Sequence, residues 1–177
     1  MKIKVIIITI LVILLNGCAI EKDVMAEAEM SNTSGLIVRA SSEEMVSNGV
    51  EPIVFTGEHL LWFNESSKEF RFKDNSAMKS AFSNVNALNF YIDEEFLFSA
   101  FVRVNSPSSA ILNSLVFYYN PTENKYYLLD GYPPEKLSQN VSDPPDIADA
   151  REDNWKLIAE EWKKFINQLK KDKKYSN

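Results

Sequence analysis

One cysteine, one histidine and five glycines in 177 residues exclude a good deal of chemistry before any motif is sought. Cys18 has no second thiol with which to close a disulfide, so a domain exported to an oxidising compartment must be held by its core alone. With His59 as the only histidine, HExxH and multi-histidine metal centres are impossible. None of the five glycines falls in GxGxxG, a P-loop or a GxSxG elbow, which excludes nucleotide binding and serine hydrolysis by those routes. Long apolar runs are also lacking. Val5–Leu15, apolar except for Thr9, is shorter than the roughly 20 residues that span a bilayer. Aromatics, in contrast, are plentiful: 11 Phe, seven Tyr and three Trp, enough to build a core.

The first 18 residues have an internal order of their own. Lys2 and Lys4 precede the apolar run, as the charged and hydrophobic regions of a secretory signal do, and Asn16-Gly17 end the run before Cys18. Leu15-Asn16-Gly17-Cys18 resembles the lipobox of bacterial lipoproteins, with an apolar residue at minus three and a small one at minus one. That resemblance covers residues 1–18 alone. It implies cleavage after Gly17, a diacylglyceryl thioether on Cys18 and acylation of the new amino terminus. Each buried methylene contributes about 0.8 kcal/mol and one chain anchors only marginally, so several chains on Cys18 would hold durably. In a Gram-negative envelope, which the lipobox alone does not imply, an aspartate after the cysteine would favour inner-membrane retention, so Ala19 tilts the expectation toward the outer membrane.

Charge points away from nucleic acid. Removing residues 1–17 takes two lysines from the 19 basic residues and none of the 25 acidic ones, leaving a net charge of −8. Lys163–Asn177 holds six lysines against Asp172, so residues 19–162 carry −13, and such a body repels a polyanion. The lysine run suits the C-terminal end of a helix; anionic lipid or an acidic partner is the other use it could have.

Ala19–Ser34 shows no apolar period and reads as a tether. From Leu36 on, short apolar runs alternate with turn chemistry. Leu60–Asn64 and Glu69–Lys73 flank Glu65–Lys68 as a hairpin. Asp74 caps a short helix carrying Met78, Ala81 and Phe82. Leu88, Phe90 and Ile92 alternate up to Asp93-Glu94-Glu95, after which Phe96, Phe98, Ala100, Val102 and Val104 keep a period of two. Leu115–Tyr119 and Tyr126–Leu129 form a third hairpin around Pro121–Asn124. Ile53–Phe55 and Leu36–Arg39 offer edge strands.

The period then changes. Trp155, Ile158, Ala159, Trp162, Phe165, Ile166 and Leu169 fall on one helical stripe, with Leu157 the one large apolar residue outside it. Asp143 or Asp146 can cap the start, beside Pro144 and Pro145. From Asp146 to Lys171 a continuous helix would run roughly 39 Å. The expected fold is therefore α+β: an antiparallel sheet of about five to seven strands built from successive hairpins, with a long C-terminal amphipathic helix on one face. The expected division is a signal at 1–17, the acylated cysteine and tether at 18–34, a single globular domain at 35–172 and a disordered tail at 173–177.

No residue pattern points to catalysis. His59 sits at the start of a strand, where a capping or surface role is the ordinary one. Asp93-Glu94-Glu95 falls in a turn, which selects polar residues anyway. Asp143, Asp146, Asp149 and Asp153 lack calcium-loop spacing and suit a helix N-terminus. No metal and no cofactor is expected. In the third hairpin a four-residue loop sets Tyr118 opposite Tyr127 and Phe117 opposite Leu128. Both faces of that hairpin are then apolar, and Tyr118 and Tyr127, with Val116 and Leu129, form the candidate partner surface. The expectation is a lipid-anchored envelope protein that recognises a protein or glycan without catalysis. A structural spacer and, more remotely, a carboxylate-dependent hydrolase are the alternatives.

Overall fold

The computed structural model describes residues 35–41, 51–104, 111–133 and 145–177. Compact units divide at Thr33/Ser34, and all described residues belong to the second unit. Cys18, the lipobox and the tether lie outside them.

One sheet contains nine strands: β1 (Leu36–Ser41), β2 (Ile53–Thr56), β3 (Leu60–Asn64), β4 (Glu69–Phe72), β5 (Ala87–Ile92), β6 (Glu95–Arg103), β7 (Val116–Asn120), β8 (Lys125–Leu129) and β9 (Tyr175–Ser176). Their order is β2-β1-β5-β6-β7-β8-β4-β3-β9. β2 is therefore an edge strand and β3 stands next to the other edge, yet a single 3-10 turn, Gly57–His59, joins them. Three residues cannot bridge a flat sheet of that width. The sheet curls into a half-barrel, and residues on its concave side meet across the interior.

Among the described residues three short helices accompany the sheet: α1 (Asn75–Phe82), α2 (Pro145–Leu157) and α3 (Ala159–Lys171). Asp74 caps α1, its Oδ1 accepting from the N–H groups of Ser76 and Ala77 at 2.9 and 3.0 Å. Phe82 on α1 touches Phe117 at 4.7 Å and Tyr126 at 5.5 Å between ring centroids. Phe165 on α3 reaches Phe63 of β3 at 5.5 Å and Phe98 of β6 at 5.6 Å. The two helices thus fill the concavity with aromatic side chains, whose burial supplies the main drive to fold.

The expected architecture needs correction. The sheet is mixed and nine-stranded, mostly β rather than a five- to seven-stranded antiparallel sheet, because β6 pairs with β7 in parallel and β3 with β9 in parallel. The long C-terminal helix is two helices, broken at Ile158, whose backbone stands at φ −106°, ψ 7°. No proline or glycine lies there. On either side of the break, α3 packs Phe165 against Phe63 and Phe98 of the sheet, and Asn154 on α2 donates from Nδ2 to the Asn113 carbonyl at 2.7 Å.

The last five residues, read as a tail, carry β9. Lys173 takes φ 58°, and the Lys174 N–H reaches back to the Leu169 carbonyl at 2.7 Å, closing α3 with a Schellman turn. The chain then runs beside β3, where Phe63 N–H donates to the Lys174 carbonyl at 2.8 Å. Lys174 Nζ donates to the Leu60 carbonyl at 2.6 Å, so part of the lysine run belongs to the fold.

Candidate functional site

The third hairpin has the expected register, with Tyr118 opposite Tyr127 and Phe117 opposite Leu128. Phe117, Tyr119, Tyr126 and Leu128 are buried, while Tyr118, Tyr127 and Leu129 are half-buried. Val116 differs from the surface role expected of it: it is 0% exposed. It lies between Phe101 on β6 and Leu129 on β8, and the chain bridging Leu112 to Tyr132 packs nearby, setting the buried Tyr132 ring 5.9 Å from that of Tyr118. Tyr127 donates its hydroxyl to Glu123 Oε2 at 2.6 Å. Burial, then Glu123, pushes the Tyr127 phenol above its ordinary pKa. These tyrosines already have partners within the domain.

The acids and the histidine do not converge. His59 Nδ1 accepts from the Thr56 N–H at 3.1 Å, a turn-capping role. Asp93 accepts from the Gly35 N–H, Glu95 pairs with Lys164 at 2.6 Å, and Glu94 is exposed. Among the described residues no three His, Cys, Asp or Glu side chains gather as a metal-binding group; Asp143 lies outside them.

A cleft of about 270 Å³ opens instead beside β6. β6 pairs with β5 from Glu95 to Phe101, but with β7 only from Phe101 to Arg103. Below that point the sheet splits. Phe96–Ser99 line one side of the split, Ser114, Leu115 and Asp130 the other, and Arg151, Asn154, Trp155, Leu157 and Ile158 of the α2–α3 corner form a third wall. Phe96 is 50% exposed and Leu157 78% exposed, so both cleft lips present apolar side chains to water.

The alternation expected of β6 fails at Phe96. Phe90 pairs with Phe98, but Tyr91 pairs with Phe96, so one extra residue is accommodated as a bulge, which re-aims the side chains around it. Phe96 leaves the core face and Leu97 is buried. Three consecutive apolar residues, Phe96-Leu97-Phe98, were the available sign that one of them must turn outward. Leu157, outside the helical stripe, was a second.

The polar side of the cleft is tied to the fold. Arg151 is buried and donates from its guanidinium to the Pro133 carbonyl at 3.4 Å. It lies on Gly131 so closely that a Cβ there would stand 2.2 Å from its Nε. Ser99 Oγ donates to Asn89 Oδ1. Next to the cleft, Lys68 in the β3–β4 turn adopts φ 59° and sets Nζ 5.0 Å from the Trp155 ring centroid and 4.7 Å from that of Trp162. Burial holds the Lys68 ammonium below its ordinary pKa, against the opposing pull of Glu65 and Asp130. Burial also acts to raise Glu65, but hydrogen bonds from Tyr175 and Trp162, with Lys68 and Lys170 near, leave it lowered. Trp155 is thus held by a cation–π contact and also lines the cleft. The polar residues lining the cleft are Ser99, Ser114, Asp130, Arg151 and Asn154.

Comparison with protein-family models, curated proteins and solved structures gives no match.

Proposed function

We propose that the chain is a lipid-anchored protein of the bacterial cell envelope whose domain recognises a partner, without catalysis, in the cleft between β6, Ser114–Leu115 and the α2–α3 corner. The observation that carries the recognition role is the pair of exposed apolar side chains, Phe96 and Leu157, on the lips of a cleft with polar groups inside. Exposed apolar surface around a concave, partly polar site marks binding. Support for the anchor is the ordered pattern of residues 1–18 ending at Cys18; in a Gram-negative envelope Ala19 would favour the outer membrane.

Two measurements test this function. Intact mass of the detergent-extracted protein should show loss of residues 1–17 and added lipid, and Cys18→Ser should leave the precursor uncleaved; a soluble product cut elsewhere would refute the anchor. For the cleft, membrane-anchored protein should bind either peptides from a random displayed library or soluble peptidoglycan fragments, and Leu157→Arg should weaken that binding. Binding unaffected by Leu157→Arg would remove the cleft from recognition.

A further inference from the structure

We infer that the cleft takes an extended peptide, which adds as a strand beside β6 at Ser99. The inference rests on the cleft being a recognition site and names the class of partner. β6 is paired on its β5 side from Glu95 onward, while β7 joins its other side only at Phe101. Phe101 donates its N–H to the Leu115 carbonyl at 2.9 Å, and Val102 donates to the Asn86 carbonyl, on the opposite side, at 2.8 Å. Backbone groups alternate sides along a strand, so the N–H and C=O of Ser99 point toward β7. Had the parallel pair continued, Ser99 would stand opposite Ser114. Both residues instead line the cleft, and no described strand pairs with Ser99 on that side.

Among the described residues no backbone group pairs with the Ser99 N–H or C=O on that side, and an extended backbone satisfies such a donor and acceptor. Two side chains that a sugar could use, the Ser99 hydroxyl and the Asn154 amide, are already engaged within the fold. The apolar lips, Phe96 and Leu157, accept a large apolar side chain. Asp130 is exposed on the far wall, but Lys68 already acts on it and Arg151 lines the same cleft, so the backbone and the apolar side chain carry the recognition.

The test uses the full-length lipidated protein in nanodiscs and a displayed library of random peptides about ten residues long. Selected peptides should share a large apolar residue. N-methylation of one or two alternate amides in a selected peptide should weaken binding roughly tenfold or more, the scale of one lost buried hydrogen bond. The Ser99 amide should become protected from hydrogen exchange when the peptide binds, and Leu157→Arg, at an exposed position, should weaken binding without unfolding the domain. If peptides bind in a Leu157-dependent way but tolerate N-methylation at every position and leave Ser99 unprotected, strand addition is refuted and recognition by the cleft stands. The same division follows if only peptidoglycan fragments bind and Leu157→Arg weakens them. If neither probe binds, or binding ignores Leu157→Arg, both the peptide and the recognition site fall.

Discussion

The Phe55 ring meets the Phe72 ring edge-on with centroids 5.1 Å apart, although Phe55 is on the first strand of the sheet order and Phe72 on the seventh. Phe55 also contacts Phe82 of α1 at 6.0 Å and Phe90 of β5 at 6.3 Å. A single buried side chain therefore links both arms of the half-barrel to the helix that fills it.

Phe55→Ala should consequently be among the most damaging single changes. The residue is 0% exposed, and truncating a buried phenylalanine costs about 3–5 kcal/mol, a large share of a typical 5–15 kcal/mol. Denaturant melts should show this loss. A change of less than about 1 kcal/mol would mean that the arms are not joined through Phe55.

Gly131→Ala should destabilise by steric conflict rather than by backbone strain. The added Cβ would lie 2.5 Å from Arg151 Cζ and 2.8 Å from the Leu112 carbonyl oxygen. The guanidinium could swing away, but the carbonyl belongs to the Leu112–Tyr132 bridge and cannot move without opening it. A loss of about 1–3 kcal/mol is expected, with weakened docking of α2 seen as altered Trp155 fluorescence. Unchanged stability and emission would show that this segment gives way freely.

Local features were readable from the residues that make them. Asp74 and the following hydrophobic turn announce α1; Asp93 and Glu94, at φ 49° and 70°, occupy the two positive-φ places that a two-residue hairpin turn provides; and the loop length sets Tyr118 against Tyr127. What could not be read depends on distant packing. The Phe96 bulge answers to Tyr91 and Phe90 on another strand. The break at Ile158 has no local breaker, and the nearest long-range tie is that of Asn154 to Asn113. β9 is two residues long and exists because Glu65 and Phe63, more than a hundred positions earlier, offer an edge. The cleft is a product of two parallel strands diverging, and a parallel pair between β6 and β7 leaves no mark in either strand.

Deleting Tyr175–Asn177 should cost stability and create a sticky edge. Tyr175 donates its hydroxyl to Glu65 Oε2 at 2.7 Å, and Glu65 N–H donates to the Ser176 carbonyl at 3.1 Å. Two such bonds are worth about 1–3 kcal/mol together. Loss of β9 also bares β3, where Leu61 is already exposed, and a free apolar edge invites pairing between copies. A lower denaturation midpoint and concentration-dependent association by light scattering are expected. A truncated protein as stable and monomeric as the full chain would show β9 to be dispensable.

Alkali should unfold the domain through its phenols. Burial raises the pKa of Tyr91, Tyr118, Tyr126 and Tyr127, with Glu51 adding to the effect at Tyr91 and Glu123 at Tyr127; at Tyr175 the hydrogen bond to Glu65 is the main cause. In each case the unfolded chain ionises first, near pH 10 or about that value. The stabilisation is complete below the unfolded pKa and is lost as pH rises through it toward the folded values. Lys68 works the other way: its folded pKa is lowered by burial, so between that value and the unfolded one a rising pH favours the fold. One lysine opposes five tyrosines, and the net slope should be downward. Urea midpoints measured from about pH 8 to about pH 12 should fall as phenolate absorbance rises. Tyr127→Phe should flatten the fall by removing one titrating group and its bond to Glu123. A midpoint that stays level while the phenols ionise would place them in water in the folded state, and the tyrosine-rich hairpin would then be open surface after all.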